Sequence, residues 1–491
     1  MTFSKVLIIG GGISGLSTAA LLANENIPCT VYEKSSMVGG RTTTTIHNGH
    51  VLDNGFHIMP FYKKSKIYEI LKKLNIVSKL KLATVSDIAF YDGDRFHKYP
   101  KGIIDILQLT LMPFRSRLSL LNILLPMAFT NMEKTEQLDQ TPLTEVTKKL
   151  DNPSKSFFNA ICMLAFADVP EHISLGEFVR TIIRANPFRG GTSEFAYPDL
   201  GGYDRIAKLF AEYSLGKGSE INLSAQVKKI EIKDGQVKGI ILTNGQFISS
   251  KCVVISFPSY LALNQLFDDG VFDDDFIKYV NRLNKTTSVI EVHFALKQKI
   301  DSRQIVFPVG KNYVCKGIFF ISNITPSVSP TGEHLMIVGT PVQTSETKNP
   351  QRIREIVSKM KEELTSIYPN FERVLLWDRA QAWGLVESVV KEPGLVWKNK
   401  MQHEVPNVKG LFFVGDSTIS YGIGTDSAAH SSILCHPKIM SYLKTVSYTH
   451  LRAHETRHDL VCRLRLLSRT RTAYLLLVWR WSSGIHDVKT R

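Results

Sequence analysis

The sequence predicts an α/β fold with an inserted α+β domain, and three observations carry that reading. A short apolar run, Val6–Ile9, leads through a glycine turn and a helical stretch into a second apolar run, Cys29–Tyr32. Residues 96–200 then read as mostly helical. Alternating, strand-like patterns return from residue 219, and a last apolar run lies at Gly410–Gly415. At 491 residues the chain exceeds one ordinary core, which points to two domains.

Each element has a local reason. Val6–Ile9 is a brief apolar run that stops at glycine, as suits a parallel strand buried on both faces. Ile13–Asn24 carries small and apolar residues at helical spacing, and Cys29–Tyr32 ends at the acid Glu33; together they form a βαβ unit. In the helical region, apolar stretches fall at Ile103–Met112, Leu118–Met127 and Phe157–Phe166. Pro113, Arg115, Arg117 and Pro126 interrupt the first two, which rules out one membrane-spanning helix. A substrate domain with its own core is expected there, and the same stretches also suit a patch that dips into a bilayer. Glu220–Leu223, Val227–Lys233, Val237–Thr243 and Phe247–Ser256 read as strands, with hairpin signals at Asp234-Gly235 and Asn244-Gly245. Thr286–Leu296 and His334–Val342 read as strands of a second sheet, and a turn and short helix follow Gly410–Gly415 from about Asp426.

Composition narrows the class. With 43% hydrophobic and 21% charged residues the chain reads as soluble and globular. No apolar run reaches the ~18–20 residues that span a bilayer. Met1–Lys5 leads straight into Val6–Ile9 without the pattern of a signal peptide, so a cytoplasmic location is expected. The six cysteines are scattered and none forms C-x-x-C, which suits buried thiols better than disulfides or a metal site. The formal charge of +15 is uneven: residues 446–491 carry nine Lys/Arg against three Asp/Glu, leaving +9 spread over the rest. That is a solvated surface, and no nucleic-acid partner is expected. From Val446 the sequence turns rich in Arg, His, Ser and Thr. Its opening, VSYTHLRAHET, resembles the conceptual translation of a transposase sequencing adapter, so 446–491 is expected to be a non-native tail. His450, His454 and His458 lie there at helical spacing and are not read as a metal site.

The chemistry begins at Gly10-Gly11-Gly12-Ile13-Ser14-Gly15, which matches G-x-G-x-x-G. Gly10 permits the tight turn, Gly12 lets a pyrophosphate approach the backbone, and Gly15 lets helix and strand pack closely. The helix N-terminus at Ile13 and Ser14 offers N–H groups and partial positive charge to phosphates. Glu33, closing the second strand, can accept both ribose hydroxyls of an adenosine, and its charge disfavours a 2′-phosphate. Strand, glycine turn, helix and acid in this order make a Rossmann-like dinucleotide site.

Glu33-Lys34-Ser35-Ser36-Met37-Val38-Gly39-Gly40-Arg41 resembles the E-x(5)-G-G-R extension of the flavin amine oxidase and carotenoid (phytoene) desaturase superfamily. The resemblance implies FAD, bound in a domain of the GR2 type, with Gly39, Gly40 and Arg41 along the diphosphate and flavin and Lys34 among the cofactor-binding residues. Arg41 suits this because its planar fork can bridge phosphate oxygens. Asp53-Asn54-Gly55-Phe56-His57 is similar to the superfamily's D-x-G-x-H segment near the flavin, which adds Gly55 and His57. Tyr197-Pro198-Asp199-Leu200-Gly201-Gly202 and Ala225-Gln226-Val227-Lys228-Lys229-Ile230 resemble its return into the FAD domain, where the Val227 backbone would meet the adenine. Leu411–Asp416 resembles its closing FxGD strand, which assigns Gly415 and places Asp416 on the ribitol chain. Gly422–Ser432 parallels the final turn and helix, aimed at the flavin pyrimidine. The implied organisation is an FAD domain in three stretches (1–95, 201–285 and 396–445), with a helical substrate or membrane-facing region at 96–200. A substrate-domain sheet with helices fills 286–395, and the tail follows at 446–491.

Amine oxidases of this superfamily carry a lysine near the flavin on a substrate-domain strand. The comparable strand here is Ser288–Phe294, with Glu291 at that place. This departure, the apolar middle domain, and G-G-R together with D-N-G-x-H favour phytoene, carotenoid or squalene-like substrates. The expected reaction is desaturation or oxidation by hydride transfer to flavin, with a quinone or oxygen as acceptor. The alternatives are an amine or protoporphyrinogen oxidase and, in another class, a flavin-bound scaffold or sensor without turnover. A hydrocarbon has no ionisable handle, so no catalytic side chain is assigned from the sequence.

Overall fold

The computed structural model describes residues 5–185 and 195–446. Lys5–Pro437 form one compact unit; in the other, 438–446 are described and helical. Apart from Val446, the tail lies outside the described residues, with Cys462 and the three histidines. The α/β fold read from the sequence is the one observed.

Five strands form the parallel centre of a nine-stranded sheet: Glu220–Asn222, Cys29–Tyr32, Val6–Ile9, Cys252–Ile255 and Val408–Phe413, side by side in that order. Every residue of Val6–Ile9, Cys29–Tyr32 and Cys252–Ile255 is buried. These strands must therefore be apolar throughout rather than alternating. On one face the helix Ile13–Asn24 is buried along nearly its whole length. Leu7 and Ile9 cluster with Tyr260, Leu263 and Leu266 on the helix Ser259–Leu266.

Beyond Val408–Phe413 the sheet continues as the hairpin Gln236–Leu242 and Val227–Lys233. Its two turn residues, Asp234 (φ 54°) and Gly235 (φ 63°), are both left-handed, as a primed two-residue turn requires. The run Phe247–Ser256, expected as one strand, is two. Phe247–Ser249 pairs antiparallel with Gln236–Leu242, whereas Cys252–Ile255 enters the parallel centre. The break falls at Ser250, whose hydroxyl donates to the Lys5 carbonyl at 2.6 Å and accepts the Cys252 N–H. A side chain competing for backbone partners ends one ladder and starts another.

The second sheet has seven strands in the order Leu375–Trp383, Ser288–Leu296, His334–Val342, Gly317–Phe319, Ile305–Pro308, Ile88–Tyr91 and Phe96–Lys98. Ser288–Leu296 pairs antiparallel along its length with both neighbours. Ile88–Tyr91 falls within the stretch 1–95 assigned to the FAD domain from sequence. Here it pairs in parallel with Ile305–Pro308 instead. A buried four-residue run announces a strand but carries no address for its partner.

Helices Ile103–Leu107, Phe114–Phe129, Asn152–Phe166 and Leu175–Ala185 form the helical region. Pro126 does not stop Phe114–Phe129, which runs one turn past it. Among the described residues no helix is long and apolar enough to cross a membrane. Cys29, Cys162, Cys252 and Cys315 are buried thiols. Within the region, Arg180 is 1% exposed. It reaches Glu177 at 2.9 Å, Asp139 at 2.6 Å and Thr135 at 3.0 Å. Removing one member of such a buried set strands the remaining charges. Arg180→Ala is expected to lose about 3–5 kcal/mol of stability, read as a lowered urea midpoint.

Candidate active site

At the carboxyl ends of the parallel strands lies a cavity of about 410 Å³, lined by Gly10 after one strand and Ser256 after its neighbour. Strand order reverses between these two, the place where open α/β sheets hold ligands. Gly10, Gly12, Ile13 and Ser14 line the cavity, with Glu33, Lys34, Gly39, Gly40 and Arg41. His57, Val227 and Asp416 line it too, so segments far apart in sequence converge. Gly15, Gly55 and Gly415 are not on this wall. Gly15 lies beneath it, Gly55 lines a neighbouring cavity, and the Gly415 N–H is held by Ser431 Oγ at 2.8 Å.

Packing explains the two strictest glycines. Gly10 has φ 106°, and its carbonyl accepts the Ser256 hydroxyl at 2.8 Å. A Cβ on Gly15 would sit 2.1 Å from the Gly10 carbonyl oxygen and 2.6 Å from Ser256 Oγ. Above them, a Cβ on Gly12 would meet nothing within 4 Å, so this glycine borders open space. The helix starting at Ile13 has no side-chain cap, which leaves first-turn N–H groups for a ligand. Glu33 is fixed at the rim: it accepts the Gly11 N–H at 2.6 Å and the Ser35 N–H at 2.8 Å. Each carboxylate oxygen keeps acceptor capacity for a hydroxyl.

The sequence suggests Arg41 for phosphate; in the structure its fork meets Asp416, at 2.8 and 3.0 Å, and the Val386 carbonyl at 2.7 Å. Asp416 also accepts the N–H and hydroxyl of Ser388, at 2.8 and 2.6 Å. Burial would raise the Asp416 pKa, but Arg41 and Ser388 hold it well below the ordinary value. Sequence reasoning missed Ser388, Val386 and Ser256. The only signal for Ser256 is its place as the last residue of the expected strand Phe247–Ser256; the strand observed ends at Ile255.

A second cavity, about 260 Å³, shares Gly40, Arg41, His57, Leu385 and Val386 with the first. Its wall is mainly apolar, with Met163, Leu164 and Ala167 from the helical region and Val289, Phe319 and Ile337 from the second sheet. Phe56 stacks on Phe319 with ring centroids 3.5 Å apart. His57 stands between the cavities, its Nε2 at 3.2 Å from the carbonyls of Arg41 and Asn54. Burial, with the Arg41 cation beside it, lowers its pKa to about 4, so it is neutral at pH 7. Glu291 also lines this wall and is 2% exposed. It accepts from Gly55 N–H and Trp383 Nε1, both at 2.8 Å, and from Phe56 N–H at 3.2 Å. Burial raises its pKa to about 7.

These features define a dinucleotide cavity that shares a wall with an apolar chamber, the arrangement of a flavin oxidoreductase. The model of the flavin-containing amine oxidoreductase family matches residues 13–435, and the chain belongs to that family: it is an FAD-dependent oxidoreductase. It is similar to the 15-cis-phytoene desaturase of Solanum lycopersicum, 23% identical over 472 residues that cover 89% of this chain and 77% of that one. Prolycopene isomerase 2 of an Oncidium hybrid cultivar is 24% identical over 510 residues, covering 89% and 84%. A solved oxidoreductase from Methanosarcina mazei shares the fold, with a TM-score of 0.73 and 18% identity over 88% of this chain and 99% of that one.

Gly15→Ala is expected to drive helix and strand apart and to lower both flavin content and melting temperature, measured by absorbance and a thermal melt. A pH effect follows from Asp53, which accepts from Tyr197 Oη at 2.5 Å and Tyr203 N–H at 2.9 Å. Burial raises its pKa from 3.8 to about 7. A raised folded-state value means that this contribution is present below pH 4 and is lost as pH rises to about 7. Asp53→Asn should flatten the fall of unfolding free energy across that window by up to roughly 1.4 kcal/mol per pH unit, measured by urea titrations at stepped pH.

Proposed function

We propose that this chain removes hydrogen from a hydrophobic isoprenoid-type substrate, of phytoene, carotenoid or squalene character, with a quinone or oxygen as final electron acceptor. The observation that carries this reading is the apolar chamber sharing Gly40, Arg41 and His57 with the dinucleotide cavity. Among the described residues lining it there is no lysine, and Glu291 stands on the strand where a family amine oxidase would carry one. The names of the tomato and Oncidium relatives, a phytoene desaturase and a prolycopene isomerase, support a long polyene.

The residues present fit FAD. Gly12 borders open space, the helix at Ile13 is uncapped, and Glu33 has acceptor capacity left for a ribose. Gly10, Gly12, Ile13 and Ser14 would hold the diphosphate, with Gly15 supporting their turn from beneath, Glu33 the adenosine ribose, and the Val227 backbone the adenine. Lys34, Gly39, Gly40, Arg41, Gly55, His57, Gly415 and Asp416 would flank the remainder. When bound, FAD supplies the two-electron acceptor. The chain's own part is orientation: Phe56 and Phe319 flatten one wall, and neutral His57 adds no charge against a hydrocarbon. Exposed Ile103, Ile104, Phe114 and Leu118 in the helical region support peripheral contact with the membrane that stores such a substrate.

The test is expression of the full chain in cells that accumulate phytoene or squalene, followed by lipid chromatography. More unsaturated or oxidised products are expected. An unchanged profile despite flavin-loaded protein would sink the reading, and peroxide release on adding a polyamine would favour an amine oxidase instead.

A further inference from the structure

We propose that Glu291 is the proton-accepting residue of this site, taking the proton that leaves the substrate as its new double bond forms. The inference rests on the oxidation of an apolar substrate argued above. Removing a hydride from a hydrocarbon leaves positive charge on a skeleton with no heteroatom to share it, and a second C–H bond must then give up its proton. The balance is simple. The hydrogen of one C–H bond would depart as hydride, with both bonding electrons, to FAD as the two-electron acceptor; the adjacent C–H bond would break toward Glu291, its electrons becoming the new π bond while the carboxylate holds the proton.

The geometry selects this residue. Among the described residues lining the apolar chamber, Glu291 is the one carboxylate. Its Oε1 carries two donors, Gly55 N–H and Trp383 Nε1, whereas Oε2 carries only the longer bond from Phe56, so spare acceptor capacity lies on Oε2. His57 is the rival base, but burial and Arg41 leave it at about 4, too weak to compete. Burial raises Glu291 to about 7, which makes it a far stronger base than an ordinary carboxylate. The groups facing it are Asp53, whose charge raises it further, with Arg41 and His57 lining the chamber. His293, two residues along the same strand, is lowered to about 3 by burial; the paired positions Gly339 and Gln381 carry no titratable group.

The test compares the flavin-loaded full chain with Glu291→Gln and Glu291→Asp. For Glu291→Gln, kcat on the polyene should fall about 100-fold or more with KM little changed and the flavin spectrum intact. Wild-type kcat should rise with pH through an ionisation near 7, and Glu291→Asp should keep that ionisation. A readout independent of turnover is the 13C-carboxyl resonance of Glu291. It should titrate near neutrality and shift when squalane, a saturated isoprenoid, enters the chamber. A Gln variant within about threefold of wild type would overturn the proposal while leaving the polyene reading intact. So would a flat wild-type pH profile, or a resonance indifferent to squalane; these two decide if the Gln variant fails to fold. A wild type that turns over no polyene removes the functional reading, and this role with it.

Discussion

The bond between Arg41 and Asp416 is the constraint on which the rest of the site depends. It joins residues 375 apart, one directly after the Gly39-Gly40 pair and the other three residues beyond the last parallel strand, Val408–Phe413. The same two side chains also bind the backbone of Val386 and both donors of Ser388, so three distant segments meet in one hydrogen-bonded knot. Asp416 is so fully engaged that its charge is never in question across ordinary pH. Arg41, by contrast, keeps its side chain 37% exposed toward the cavity. The pair therefore has one anchored member and one outward-facing member. That division lets a cation stand at the cavity wall without drifting, because the carboxylate behind it has nowhere else to go.

From this knot the two cavities acquire their relation. Gly40, Arg41 and His57 form a common wall, and Leu385 and Val386 close it from another strand's end. On the dinucleotide side the wall is backbone and charge, while the other side is methyl groups and rings. A neutral imidazole at the boundary is consistent with this, since a cation there would have to be desolvated beside Arg41. Glycine serves both sides, though for opposite reasons. Gly15 is required because there is no room. Gly12 is useful because there is room, and a ligand would need it.

What could be read from the sequence follows from how local each signal is. The βαβ unit was legible down to its boundaries because the apolar runs, the glycines and Glu33 all lie within 33 residues. His334–Val342 and the Asp234-Gly235 turn were equally plain, one a short apolar run and the other a left-handed turn pair. The break at Ser250 was not, since it depends on the Lys5 carbonyl across the sheet. Nor was the partner of Ile88–Tyr91, because pairing is a property of two segments and the run describes one. Arg41 was singled out for phosphate, and nothing near it in sequence announces Asp416 as its partner. Glu291 was visible only as a departure from a lysine; its three donors come from two other segments.

In the role proposed for it, Glu291 would serve fold and chemistry without conflict. Its carboxylate ties Ser288–Leu296, the strand next to one edge of the second sheet, to Gly55 and Phe56, in the loop that ends at His57. Three hydrogen bonds alone would stabilise the ionised form and pull its pKa down. Burial outweighs them and leaves it near neutral. The anchoring needs donors, and the proposed proton transfer would need the charge to be only marginally favoured; burial in the apolar wall supplies the second condition. A lysine at this place could not meet the first, since an ammonium accepts nothing from Gly55, Phe56 or Trp383. The loop bearing His57 would then lack its tether to the sheet. The acid is thus tied to the geometry of the common wall, and any substrate chemistry here must work with a carboxylate rather than an amine.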